Sequence, residues 1–132
     1  MNIPDRDMRL MREAMWAVVN EPGGTALTSR LPGGYGMMAG KTGTTQVRRV
    51  TREQRERGFN VSQVPREWRP HALFVGYAPH DNPLYAVSVI VEHGTSGSGT
   101  AAPIARDALV DTFNRFRAAP PGPRVADVGR GT

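Results

Sequence analysis

Seventeen of the 132 residues are lysine or arginine, yet only one is lysine: Lys41, in the segment Met38-Ala-Gly-Lys-Thr-Gly-Thr-Thr-Gln-Val47. A compact ammonium next to Thr42 and Thr44, whose hydroxyls recur with the two-residue period of a strand, is a donor set that suits a carboxylate. The competing reading is an exposed strand lysine among threonines that merely favour extended backbone. A phosphate-binding loop does not fit. Its pattern needs four residues between the first glycine and the Gly-Lys pair, whereas Gly36 leaves three and Gly34 leaves five. The β-branched residues that follow also predict a strand, not the helix whose N-terminus would hold phosphate.

The elements that must position this segment can be read on either side of it. Asp5 to Asn20 places Met8, Met11, Met15 and Val18 on one helical face, which predicts a helix with its methionines in a core, stopped by Glu21-Pro-Gly-Gly. Thr25 to Pro32 reads as irregular chain or a short edge strand. Met37 to Val50 favours a strand. Thr51-Arg-Glu-Gln54 matches a capping box, predicting a short helix through Arg57 closed by Gly58, within a basic connection that reaches Pro70. Ala72 to Ala78 and Leu84 to Val91 are apolar runs joined by Pro79-His-Asp-Asn-Pro83 and should pair antiparallel. Gly94 to Thr100 reads as a flexible connection. Pro103 then opens a helix with Ile104, Ala108, Leu109, Thr112, Phe113 and Phe116 on one side. Residues 118–132, rich in Pro and Gly, read as a disordered tail after a single unit over residues 1–117. The order predicts an α+β fold, an antiparallel sheet sandwiched by helices.

Lys41-Thr-Gly43 is also the Lys-Thr-Gly triad of penicillin-recognising enzymes. The likeness extends to Gly24-Thr25-Ala26, Ala39 to Val47, Arg69-Pro-His-Ala-Leu-Phe-Val-Gly-Tyr-Ala-Pro79 and Ala101-Ala-Pro-Ile-Ala-Arg106. In that order these resemble the C-terminal part of the transpeptidase domain of class B penicillin-binding proteins of the penicillin-binding protein 2 type, which are peptidoglycan D,D-transpeptidases. The resemblance implies the penicillin-binding (β-lactamase-like) fold. It also implies that Lys41, Thr42, Gly43 and Thr44 bind substrate, orienting the terminal carboxylate of a D-Ala-D-Ala stem peptide or a β-lactam, with Gly43 admitting the ligand close to the backbone. The backbone N–H of Thr44 would then serve catalysis as an oxyanion-hole donor, a role typically worth about 3 kcal/mol. No cofactor is implied. The implied partners are stem peptides, β-lactams and cell-wall elongation proteins, at the periplasmic face of a bacterial inner membrane.

The family's nucleophile stands in a Ser-x-x-Lys signature, followed by Ser-x-Asn. Neither occurs here: Ser29, Ser62, Ser88, Ser96 and Ser98 each lack a lysine three residues on and none begins Ser-x-Asn. These 132 residues therefore hold no acylation machinery of their own, as expected of a piece of a longer enzyme or of an inactive gene remnant.

Composition bounds the alternatives. A net charge of +5 and a pI near 10.7 would permit a non-catalytic basic module that binds an anionic polymer, but the arginines are spread over helix, loop and tail, and no specific nucleic-acid contact is expected. The run from Arg48 to Arg57 interleaves Glu with Arg and reads as a solvated helical turn with weak internal ion pairs. With no cysteine, disulfides and thiolate metal sites are excluded. His71, His80 and His93 are expected at a strand start, a turn and a strand end, too dispersed for a metal site. His71 reads as a satisfied strand-end histidine, with the mouth of a cleft as the alternative. Trp68 should pack its ring on the sheet, or else anchor a partner. No apolar run approaches the roughly 20 residues that span a bilayer, so if the longer enzyme that the resemblance implies is membrane-anchored, its anchor is expected upstream.

Overall fold

The computed structural model describes residues 3–47, 51–58 and 60–116. The expected tail at 118–132 and the strand extension at Arg48 to Val50 lie outside the described residues.

Helix α1 (Asp5–Asn20) begins after Pro4, whose carbonyl accepts from the N–H groups of Asp7 and Met8, while Asp5 and Asp7 place negative charge at the positive end of the helix dipole. Pro22 and Gly23, at φ 88°, end it. It meets the rest of the chain from Arg12, whose guanidinium donates to the His80 carbonyl at 2.7 Å, through Asn20, which donates to the Met38 carbonyl. Val19 is fully buried, whereas Met8 and Met11 are 44% and 59% exposed, so the expected methionine core face is corrected at those two positions. Thr25 to Pro32 holds a 3₁₀ turn at Leu27–Ser29 and no strand.

Three strands form one antiparallel sheet in the order β1 (Ala39–Thr45), β2 (His71–Ala78), β3 (Tyr85–Val91). The register sets Lys41 opposite Val75, Thr42 opposite Phe74 and Thr45 opposite His71, and Phe74 in turn opposite Val89. Alternation puts Ala72, Phe74 and Ala78 on one face, all buried. Helix α3 (Ala102–Phe116) covers this face with Ala102, Ala105 and Leu109, against which Phe113 packs. The buried stripe thus lies to one side of the one expected, since Ile104 and Ala108 face solvent. Alanines at 102 and 105 leave room for Phe74, the largest fully buried side chain, whose burial is worth about 2–3 kcal/mol. Gly40 is required beneath that ring, because a Cβ there would come within 2.2 Å of Phe74 Cζ. On the opposite face Val75 and Ile90 remain 50% and 67% exposed.

The connection from β1 to β2 contains the expected short helix, α2 (Arg52–Glu56), with Gly58 at φ 75° after it. Arg52 pairs with Glu56 at 2.8 Å, an exposed i,i+4 contact worth at most about 0.5 kcal/mol. The expected flexible connection after β3 is corrected. Gly97–Ala101 forms an ordered π-type turn, capped by Ser96 Oγ accepting from the Gly99 N–H and leading directly into α3.

Candidate functional site at the edge of β1

β1 is an outer strand, and the direction of its free backbone groups decides what it can bind. A Cβ built on Gly76 would meet the Ala39 carbonyl at 2.7 Å, and one built on Gly40 would meet the Val75 carbonyl at 2.8 Å. Both oxygens therefore face across the β1–β2 gap. In an antiparallel ladder the N–H and C=O of one residue turn to the same side and alternate along the strand. Ala39, Lys41, Gly43 and Thr45 are thus the ladder residues, and Gly40, Thr42 and Thr44 present their backbone groups at the open edge. Three contacts outside the ladder agree. Asn20 Nδ2 donates to the Met38 carbonyl at 2.9 Å from α1, on the open side. On the ladder side the His80 N–H donates to the Met37 carbonyl at 2.8 Å. Lys41 Nζ curls around the edge to the Thr42 carbonyl at 2.8 Å.

Side chains follow the same alternation. Lys41 leaves from the face it shares with Val75, and Thr42 and Thr44 from the face of Phe74. The ammonium and the hydroxyls can converge only around the open edge, where the Thr44 N–H also points. Thr42 Oγ1 lies 2.9 Å from Thr25 Oγ1, which ties the strand to the turn after α1. Gly24 makes that turn possible, since a Cβ there would lie 2.4 Å from the Val18 carbonyl. The edge therefore offers one cation, outward N–H groups that include that of Thr44, and two threonine hydroxyls to an anion lying along the strand. Lys41 is exposed, and in bulk water an ammonium gains only about 1 kcal/mol from a carboxylate 4 Å away, against about 4 kcal/mol in a medium of effective dielectric 20. Tight anion binding needs a second wall to exclude water.

Of the residues expected to bind, Lys41, Thr42, Gly43 and Thr44 all lie in β1. Two further residues bear on the strand. Thr25 stood in Gly24-Thr25-Ala26, but nothing in the spacing joined it to Thr42. Gly97 is buried against the strand: a Cβ there would lie 2.3 Å from the Gly43 carbonyl and 2.7 Å from the Leu73 carbonyl, so only glycine lets the loop touch the ladder. The histidines are less dispersed than expected, because the rings of His71 and His93 lie 4.9 Å apart. His71 is a satisfied strand-end histidine, its Nδ1 accepting from the His93 N–H at 2.9 Å. No cluster of three metal-ligating side chains occurs among the described residues. Trp68 is 46% exposed.

Comparison with known proteins gives a consistent picture. Residues 1–110 match the family described as the penicillin binding protein transpeptidase domain. The chain is 36% identical over 105 residues to the peptidoglycan D,D-transpeptidase MrdA of Salmonella typhimurium, covering 80% of this chain and 16% of that one. It superposes with a TM-score of 0.62 and 26% identity on the solved complex between penicillin-binding protein PBP2 and MreC from Helicobacter pylori, covering 84% of this chain and 18% of that one. Pseudomonas aeruginosa PBP2 in complex with WCK 5153 superposes with a TM-score of 0.52 and 37% identity, over 77% and 18%. The chain thus spans about a sixth of the length of the curated relatives it matches.

Proposed function

Because this chain belongs to the penicillin-binding protein transpeptidase family, we propose that it supplies the substrate-binding edge of a peptidoglycan D,D-transpeptidase. The observation that carries the reading is the open edge of β1, where Lys41, the two threonine hydroxyls and the Thr44 N–H are available to one ligand. The terminal carboxylate of a D-Ala-D-Ala stem peptide, or the carboxylate of a β-lactam, pairs with Lys41 and accepts from Thr42 and Thr44. That contact draws the scissile carbonyl along the edge to the Thr44 N–H, which donates to its oxygen as negative charge develops. Serine oxygen then bonds to the carbonyl carbon of the penultimate D-Ala, the C–N bond to the terminal D-Ala breaks, and the serine proton passes to the departing amine. An amine of a neighbouring stem peptide later takes the acyl group, whereas a β-lactam stays attached.

The serine and its lysine are not among these 132 residues, so a Ser-x-x-Lys segment must supply them and the water-excluding wall. By family, the working enzyme sits at the periplasmic face of the inner membrane and assembles with cell-wall elongation proteins. Among the described residues no helix is long and apolar enough to cross a membrane.

The test replaces the matching segment of the Salmonella relative with this chain and follows labelling by a fluorescent penicillin. The chimera should be labelled, the 132-residue chain alone should not, and Lys41→Ala in the chimera should slow labelling by about 10- to 100-fold, the worth of a charged hydrogen bond. A folded chimera that labels equally well without Lys41 would remove the assignment.

A further inference from the structure

His71 and His93 are held by backbone groups that specify where each ring carries its proton. The His93 N–H donates to His71 Nδ1 at 2.9 Å, so that nitrogen holds a lone pair and the His71 proton sits on Nε2. His93 Nδ1 lies 3.1 Å from the Arg69 carbonyl, which can only accept, so His93 carries its proton on Nδ1. The two rings, 4.9 Å apart, are therefore opposite tautomers. A third bond, from the Thr95 N–H to the Pro70 carbonyl at 2.9 Å, closes the same two segments on each other. His93 and Thr95 both sit at positive φ, 56° and 73°, a backbone that non-glycine residues adopt only when their surroundings impose it.

This clamp lies at a functionally placed junction. His71 opens β2 directly opposite Thr45, the last residue of the Lys41–Thr45 strand. The strained loop continues through Gly94 to Gly97, where a Cβ would lie 2.3 Å from the Gly43 carbonyl and 2.9 Å from its nitrogen. The loop that begins at His93 thus reaches Gly43, the residue between the two threonines of the proposed site. A metal bridge between the rings is disfavoured, since His71 Nδ1 is already occupied and its Nε2 bears hydrogen.

We propose that His71 and His93 are positioning residues, a tautomer-specified clamp that fixes the end of the β1 strand and the Gly97 loop beneath it, and so the aim of the Thr44 N–H. The inference rests on the reading of β1 as the ligand-binding strand, but its test needs no ligand and can fail independently of penicillin labelling.

The experiment is side-chain nitrogen-15 NMR and amide hydrogen exchange on the full 132-residue chain. The expected spectrum has His71 protonated on Nε2 and His93 on Nδ1. His71→Ala should speed exchange of the paired amides of Lys41, Gly43 and Thr45 by about five- to ten-fold, the effect of one net hydrogen bond, and leave the β2–β3 amides unchanged. His71→Asn, whose Oδ1 can stand where Nδ1 stood, should restore slow exchange. His93→Asn, which keeps a donor and tolerates positive φ, should behave as wild type, while His93→Gly, which keeps only the backbone freedom, should not. The same tautomer in both rings overturns the proposal. So does unchanged β1 exchange in His71→Ala, and so does a loss of protection across the whole sheet or of the fold itself that His71→Asn fails to reverse.

Discussion

Lys41 and Gly97 show how differently two residues can serve one strand. Lys41 is exposed and its ammonium donates to the Thr42 carbonyl, so removing it should leave the thermal midpoint nearly unchanged while weakening penicillin acylation in a complete enzyme. Gly97 is not itself among the residues expected to bind, yet it packs so closely on the ladder that a Cβ there would lie 2.3 Å from the Gly43 carbonyl. Gly97→Ala should therefore cost about 1–3 kcal/mol, read by thermal or urea unfolding, because the clash is with backbone carbonyls and no side chain can rotate away. Ser29 offers the converse case. It is fully buried and its hydroxyl has no partner among the described residues. Ser29→Ala should be neutral or should stabilise the fold by up to about 1 kcal/mol in the same measurement, because an unsatisfied buried hydroxyl costs desolvation without return.

At the scale of elements, α1 is joined to the site strand by Asn20, whose Nδ2 lies 2.9 Å from both the Trp16 and the Met38 carbonyls. Asn20→Ala should cost about 1–2 kcal/mol of stability and raise amide exchange at the start of β1, since the Met38 carbonyl would lose its donor on the open side. The strands, the short helix α2 and the Lys-Thr-Gly segment were legible because each depends on local spacing or turn chemistry. The buried faces of α1 and α3 were less so. Methionines at 8 and 11 have the period of a core stripe, but whether a stripe is covered depends on where the helix lies along the sheet, which periodicity does not encode. The Gly94–Thr100 loop had the composition of a flexible linker, and its order comes from partners distant in sequence, at Pro70, His71 and Gly43. The outward aim of the Thr44 N–H was likewise invisible, because the parity of a ladder is set by how two strands meet.

For the whole molecule, the uncovered surfaces matter as much as the core. The outer edge of β3, with the sequence Tyr85-Ala-Val-Ser-Val-Ile-Val91, has no strand beside it among the described residues and carries no charge or proline to block pairing. Together with exposed Val75, Ile90, Met8 and Met11 it forms an apolar periphery suited to the remainder of a transpeptidase domain. The isolated chain should accordingly self-associate with rising concentration in sedimentation experiments, and Ile90→Lys should reduce that association with little effect on folding, since residue 90 faces solvent. The central claim is narrower: the open edge of β1 binds the ligand carboxylate and offers the Thr44 N–H to the developing oxyanion. The most direct measurement is the acylation rate by penicillin of the chimeric enzyme carrying Thr44→Pro, beside Thr45→Pro as the ladder control. Proline at an outward-facing edge position removes an N–H without breaking the ladder. Thr44→Pro should therefore leave a folded protein whose acylation is slowed about 100- to 1,000-fold, while Thr45→Pro should destabilise the sheet. Full-rate acylation with Thr44→Pro in place would contradict the account.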